Sequence, residues 1–447
     1  MTKQHQHWGS RLTFIMAATG SAVGLGNIWK FPYMVGESGG AAFVLVYLLC
    51  IAAIGMPVLV AEWMLGRRGQ KNPIDTMRGL ARDNGRSPAW TLLGISAVLV
   101  GAVILSFYSV IGGWSLYYTV QAGAGRFAGQ DADAIAGLFN QMLASPSLLL
   151  LAHTVFMLAT VAIVARGLKG GIEASVRLLM PTLAALIVIL LGYAATTGHF
   201  GAALSYMFAF NFNSISGDVV LAAMGQAFFT LSVGAGVMIA YGSYLGKDTN
   251  LLATARTVIL FDTVFALAAG MIIFPIVFAN GLETSEGPGL IFITLPLAFA
   301  DMFGGTVIGL LFFVLLSFAA LTSSISLLEP VAEFLTERSK MGRPRATIAA
   351  GVVIWALGIA ALLSFNVWSA PLPGVGLTVF DLLDKVTSQY MLPLNGLFAV
   401  IFVGWVLNRQ SVLDELGLSG TTALLWSVLS RLIAPLGVAV VFVAGLL

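Results

Sequence analysis

An all-α integral membrane protein is the fold class the sequence predicts, and three observations carry it. Apolar stretches long enough to cross a bilayer follow one another along almost the whole chain. Charged residues make up only 9% of the 447 residues and hydrophobic residues 58%, whereas soluble domains are roughly 25% charged. Lysine and arginine also alternate between the connections on one side and those on the other, as membrane topology demands.

The apolar stretches place eleven spans, at 11–36, 41–66, 90–122, 148–165, 173–197, 218–244, 254–280, 303–336, 347–365, 380–408 and 424–446. Short loops join them, so the chain 1–447 reads as one transmembrane domain. No small-residue cleavage site follows MTKQHQHWGSRL, and span 1 reads as retained. Connections 67–89, 166–172 and 337–346 are basic, carrying Arg67, Arg68, Lys71, Arg78, Arg82 and Arg86, then Arg166 and Lys169, then Arg338, Lys340, Arg343 and Arg345. The connections of opposite parity hold Arg126 and no other lysine or arginine. The basic side is therefore read as cytoplasmic, with the N-terminus inside and the C-terminus outside a cytoplasmic (inner) membrane.

Composition excludes several classes. A net charge of +2 is too small to argue for nucleic acid, and the lone Cys50 rules out an internal disulfide or a cysteine-based metal cluster. Cys50 reads as a small hydrophobe inside span 2. A channel would need a continuous polar pore, and the intramembrane acids are too few and unringed for one. A membrane sensor that binds without transporting lacks a signalling domain in this chain.

The informative stretch is GSAVGLGNIWKFP in span 1. Gly24 and Gly26 bracket Leu25, and Asn27 follows, in the middle of a run that should cross lipid. Span 6 carries a matching Val233-Gly234-Ala235-Gly236 after Ser232. The two spans run in opposite directions, and such glycine-interrupted pairs in the two halves of a chain point to a transporter binding site. If both helices unwind there, their freed backbone groups need a protein-lined cavity. Freed carbonyls suit a small cation, while freed N–H groups at the positive end of a half-helix suit a carboxylate. The pair predicts a site for a zwitterion travelling with sodium.

Together with GQAFFTLSVGAGVMIAYGSYLGKD and AALTSSISLLEP, the stretch HWGSRLTFIMAATGSAVGLGNIWKFPY resembles the neurotransmitter:sodium symporter family, and its prokaryotic amino-acid transporters in particular. The resemblance covers essentially the whole chain. It implies the LeuT fold: two inverted five-helix repeats, about 11–197 and 218–408, with helices 1 and 6 unwound at the midplane. The remaining helix, 424–446, makes eleven spans where many members have twelve, as in a shorter bacterial subgroup.

The resemblance also implies the ligands. A first sodium would be held by the carbonyl of Ala22 with Asn27, Thr230 and Asp262, and Asp262 is in addition a lone acid in an apolar run. A second would take carbonyls of Gly20, Val23 and Ala319 and the hydroxyls of Thr322 and Ser323. The substrate carboxylate would meet the N–H groups of Leu25 and Gly26, the hydroxyl of Tyr108 and the first sodium. Its amino group would meet carbonyls of Ala22, Phe229 and Thr230 and the hydroxyl of Ser232. Ile104, Tyr108, Phe229, Ala235, Ser323 and Leu327 would line the side-chain pocket. Lys30 and Asp384 would form an outer gate over Tyr108 and Phe229, and Trp8, Tyr244 and Glu337 an inner one, with His5 where the family has an arginine.

Three departures refine the expectation. Gly24 stands where monoamine carriers have an aspartate, so a substrate with its own carboxylate is favoured. Asp262 supplies a fixed negative charge beside the first sodium, so no chloride requirement is expected. Ala235 stands where members preferring small substrates have phenylalanine, which leaves room for a large neutral side chain. The sequence thus predicts a transporter, not an enzyme: a sodium-coupled importer of a neutral, large hydrophobic or aromatic L-amino acid. A sodium-coupled carrier of another small zwitterion, or an amino-acid sensor that does not transport, is the alternative. The oligomeric state is left open.

Overall fold

The computed structural model describes residues 6–210, 212–282 and 289–444. Nine helices among them are long and apolar enough to cross a membrane: Ala41–Gly69, Pro88–Gly123, Pro146–Val164, Leu168–Ala195, Leu251–Ala279, Gly305–Arg338, Arg343–Leu363, Val379–Val406 and Gly420–Val440. They coincide with spans 2 to 5 and 7 to 11 of the sequence reading, shifted by a few residues at the ends. Span 1 is present as a bent pair, Arg11–Ala22 and Gly26–Glu37, with 48° between the halves. Span 6 is likewise in two pieces, Gly217–Thr230 and Val237–Ser243.

The breaks fall on the glycine motifs, and the backbone shows why. In span 6, Ser232, Gly234 and Gly236 have φ of +52°, +84° and +73°, a left-handed region in which no right-handed helix continues. In span 1 the helix stops at Ala22, Val23 leaves helical geometry at ψ 90°, and the chain restarts as a wide π-turn over Gly26–Lys30.

The connections are less bare than the sequence reading had them. Helices Pro73–Asp83, Ala132–Leu143, Phe200–Phe208, Leu290–Asp301 and Arg409–Leu416 occupy five of them. The first is amphipathic. Asn72 caps it by accepting from the N–H groups of Ile74 and Asp75, Pro73 fits the first turn, and Ile74, Met77 and Leu80 are buried.

Spans 3 and 8 are the two long central helices and pack along one another. Small residues let backbones touch around them, as membrane packing requires. A Cβ on Gly66 of span 2 would sit 2.0 Å from the Ile239 carbonyl, and one on Gly242 would sit 2.6 Å from that of Trp63. Span 2 and the second half of span 6 therefore lie backbone to backbone. Gly101 of span 3 similarly approaches the Ala235 carbonyl inside the break. Leu151, Leu158, Val188, Val353 and Leu436 are exposed on the outer faces of spans 4, 5, 9 and 11, apolar surface suited to lipid.

Candidate binding site between the broken helices

Asp262 is fully buried in span 7 and organises one end of the site. Its Oδ1 accepts from Asn27 Nδ2 and from the Thr230 hydroxyl, each at 2.8 Å. Its Oδ2 accepts from the Tyr47 hydroxyl at 3.3 Å. The amide oxygen of Asn27 in turn takes the N–H of Gly24 at 3.2 Å. Three of the four residues expected at the first sodium site thus share hydrogen bonds, and Ala22 lines the neighbouring cavity. The donor set is hard oxygen, fitting an alkali cation rather than a softer metal.

The second group forms between spans 1 and 8. The Thr322 hydroxyl lies 2.9 Å from the Ala319 carbonyl and 3.5 Å from that of Val23. Gly20 abuts Thr322, where a Cβ would stand 3.5 Å from the threonine Cβ. Ser323 is adjacent, but its hydroxyl donates to the Ser21 carbonyl at 3.0 Å.

Between the two groups is a cavity. Ala22, Gly26, Ile104, Tyr108, Phe229, Ser232, Ala235, Ser323 and Leu327, all expected from the sequence, line it, joined by Ser21, Gly24 and Leu392. Leu25 and Thr230 stand just behind the wall. The Leu25 N–H donates to the Tyr108 hydroxyl at 3.2 Å, so these two groups satisfy one another here. The Ser232 hydroxyl donates to the Ser21 carbonyl at 2.9 Å.

Three polar residues outside the expected set bond to the broken backbone, and a fourth supports Asp262. Glu62 of span 2 accepts the Gly234 N–H at 2.7 Å, and Asn395 of span 10 donates to the Gly234 carbonyl at 2.8 Å. Gln226 donates to the Gly26 carbonyl at 2.7 Å, and Tyr47 reaches Asp262. Glu62, Gln226 and Asn395 are polar groups in apolar runs, the same signal that singled out Asp262.

The gates differ in part from expectation. The Lys30 ammonium lies 4.4 Å from the centre of the Phe229 ring, a cation–π contact. No Lys30–Asp384 ion pair forms among the described residues; Asp384 instead accepts the Ser388 hydroxyl at 2.7 Å. At the other end, Trp8 donates from Nε1 to the Tyr241 carbonyl at 3.0 Å and meets Tyr241 and Tyr244 edge-on. The Tyr244 hydroxyl donates to Glu329 at 2.7 Å, and Arg343 pairs with the same carboxylate. Glu337 is held by Asn72, which donates its backbone N–H at 3.0 Å and its side-chain amide at 2.6 Å. The acid that Tyr244 meets is thus Glu329, eight residues earlier on the same helix, and Glu333 between them accepts the Ser243 hydroxyl at 3.2 Å. His5 lies outside the described residues.

The model of the sodium:neurotransmitter symporter family matches residues 5–133 and 139–447. The chain belongs to that family. Among other members, an uncharacterized sodium-dependent transporter of Bacillus subtilis (strain 168) is 37% identical, over 97% of this chain and 96% of that protein. One of Methanocaldococcus jannaschii is 30% identical over 97% and 89%. The crystal structure of MhsT in complex with L-phenylalanine superposes with a TM-score of 0.91 at 42% identity, covering 99% of this chain and 100% of that one. This sodium:neurotransmitter symporter therefore has the LeuT fold, is a multi-pass membrane transporter, and is not an enzyme.

In a symporter of this family the Gly24 position is open to a direct steric test. A Cβ there would stand 2.2 Å from Ser323 Oγ and 2.9 Å from the Tyr108 hydroxyl. Gly24→Ala should displace both and lower sodium-driven uptake by roughly tenfold or more, since small misplacements in a tight site cost that much. Uptake by proteoliposomes, with thermal unfolding as a control for folding, checks it. Unchanged uptake would mean that the cavity is not the transport site.

Proposed function

We propose that the chain imports a neutral, large hydrophobic or aromatic L-amino acid together with sodium, by alternating access and without chloride. The observation that carries this is the arrangement of the cavity. Oxygen ligands cluster at the Asn27–Thr230–Asp262 end and at Thr322, freed backbone of both broken helices faces between them, and the remaining wall is apolar. An amino acid brings a carboxylate for the N–H groups and an adjacent cation, an ammonium for carbonyls, and an apolar side chain for Ile104, Phe229 and Leu327. The phenylalanine bound by MhsT, a 42% identical protein, supports the same class.

In this reading Ala22, Asn27, Thr230 and Asp262 hold one sodium, and Gly20, Val23, Ala319, Thr322 and Ser323 the other. Filling both would draw the halves of spans 1 and 6 together and close Lys30 and Phe229 over the cavity. Trp8, Tyr244 and Glu329 would then part to release the load inside. The basic connections support an N-terminus in the cytoplasm, in keeping with a place in the cytoplasmic membrane. Each sodium that enters down the membrane potential supplies about 2.3 kcal/mol per 100 mV.

Strict sodium dependence follows. Asn27→Ala and Thr322→Ala should each weaken sodium-stimulated amino-acid binding by about tenfold or more, because each removes an oxygen from a small ligand set. Scintillation-proximity binding in sodium against potassium buffer measures it, and equal binding in both buffers would refute the assignment.

Chloride is the second test. Asp262 already places a carboxylate at the first sodium site, so exchanging chloride for gluconate should leave wild-type uptake unchanged. Asp262→Asn should lower uptake and make the remainder respond to chloride. A large loss for the wild type in gluconate would overturn the proposal.

Side-chain size is the third. With Ala235 in the wall, labelled leucine or tryptophan should be displaced best by large neutral amino acids and poorly by glycine, alanine, glutamate or lysine. Each extra methylene that finds its place adds roughly 0.8 kcal/mol. Ala235→Phe should shift the preference toward small side chains. A wild type that prefers glycine, or a mutant with an unaltered profile, would show that Ala235 does not set the limit.

A further inference from the structure

We propose that a cleft where spans 10 and 11 meet the membrane boundary binds the phosphate-bearing headgroup of an anionic phospholipid. This site is separate from the transport cavity and does not depend on the substrate. The cleft is formed by Gly404 near the end of span 10, Arg409 and Leu413 of the short helix Arg409–Leu416, and Trp426, Ser427 and Arg431 of span 11. Its lining carries two guanidinium groups and no carboxylate.

Arg431 is the decisive residue. It stands inside the span Gly420–Val440, on a helix whose Leu424, Leu432, Ile433 and Leu436 are exposed. A cation on a lipid-facing helix is costly unless its charge is met. Its Nε donates to the Gly404 carbonyl at 2.6 Å, and its guanidinium lies 5.6 Å from the centre of the Trp405 ring. Those contacts fix the plane of the group but do not neutralise it, and no acid pairs with it among the described residues.

Arg409, exposed at the start of the connector helix, also has no ion pair there. The contrast with nearby arginines is instructive. Arg67 and Arg68 share Glu415, Arg338 pairs with Asp75, and Arg343 with Glu329. Arg409 and Arg431, neither of them paired with an acid among the described residues, line the same cleft.

Position and chemistry then select the ligand. Arg409 belongs to the connector between two spans, so it lies at a membrane boundary whichever way the chain is oriented. Trp405 is 58% exposed beside it, as an indole is at the headgroup level. A guanidinium held by one edge offers its other N–H groups to a phosphate in bidentate fashion. Exposed Leu432 and Leu436 provide apolar surface for the attached acyl chains, which a free phosphate would not use. Basic pockets between membrane helices take anionic headgroups by this logic.

Native mass spectrometry of the full chain, offered phosphatidylglycerol and phosphatidylcholine in equal amounts, tests it. The wild type should retain phosphatidylglycerol, and Arg431→Gln and Arg409→Gln should each reduce that retention by about tenfold, as loss of a charge-assisted contact implies. Arg86→Gln, at an exposed arginine elsewhere, should leave it unchanged. Equal retention in both cleft variants, or an equal loss in Arg86→Gln, would overturn the proposal. If Arg431→Gln does not fold, the exposed Arg409→Gln decides alone. Inorganic phosphate should neither displace the lipid nor raise the melting temperature; if it does both, the cleft is a free-anion site and the lipid assignment fails.

Discussion

Backbone freed in the middle of a membrane must be bonded inside the protein, and much of this structure answers that constraint. Unwinding spans 1 and 6 releases N–H and C=O groups at a depth where lipid offers them nothing. Five of these groups end on a side chain. The Gly24 N–H goes to Asn27, that of Leu25 to Tyr108, and that of Gly234 to Glu62; the Gly26 carbonyl goes to Gln226 and that of Gly234 to Asn395. Spans 2, 3 and 10 are thereby fixed around the breaks. Their close approach depends on glycines such as Gly66, Gly101 and Gly242, whose missing side chains make room for a carbonyl opposite. Packing and polarity in the bundle serve one purpose.

The same constraint concentrates charge in few places. Asp262 and Glu62 are acids at membrane depth: Asp262 takes donors on both carboxylate oxygens, whereas Glu62 takes the Gly234 N–H on Oε1 and its Oε2 has no hydrogen-bond partner among the described residues. Removing either would leave buried donors without partners, a loss larger than the worth of one hydrogen bond. Acids at the Trp8 end are instead met by guanidinium and amide groups, Glu329 by Arg343 and Glu337 by Asn72. The cavity itself keeps an apolar wall beside the oxygen groups of Asn27, Thr230 and Asp262.

Much of this was legible in the sequence because lipid imposes blunt rules. Span lengths follow from bilayer thickness, and the eleven apolar stretches fall on the observed helices, two of them broken where glycines crowd. Asn27, Tyr108, Thr230 and Thr322 were named through the family resemblance that the motifs carry, not by that rule, and the structure gathers them around the breaks. The supporting residues were not. Glu62, Gln226 and Asn395 lie in different spans, and nothing local says that they converge on the breaks. The gates were read through pairwise analogy, and pairing is a matter of reach. Lysine at position 30 has a single flexible ammonium and settles over an aromatic ring rather than spanning to Asp384. On span 8 the resemblance named Glu337, which is exposed and held by Asn72, whereas the buried Glu329 is the acid that Tyr244 reaches. Helices inside the connections escaped because their apolar faces are short and their ends depend on caps.

One oxygen ties much of the interior together. The Ser21 carbonyl accepts the hydroxyls of both Ser232 and Ser323, using both of its lone pairs. A single peptide group is therefore pinned to span 6 and to span 8 at once. Tilting the first half of span 1 away from either helix strains the second bond as well, so the two are cooperative in rupture. Such a doubly fastened joint resists small excursions and then yields in one step, which makes the hinge of span 1 a latch with discrete positions rather than a continuously adjustable arm.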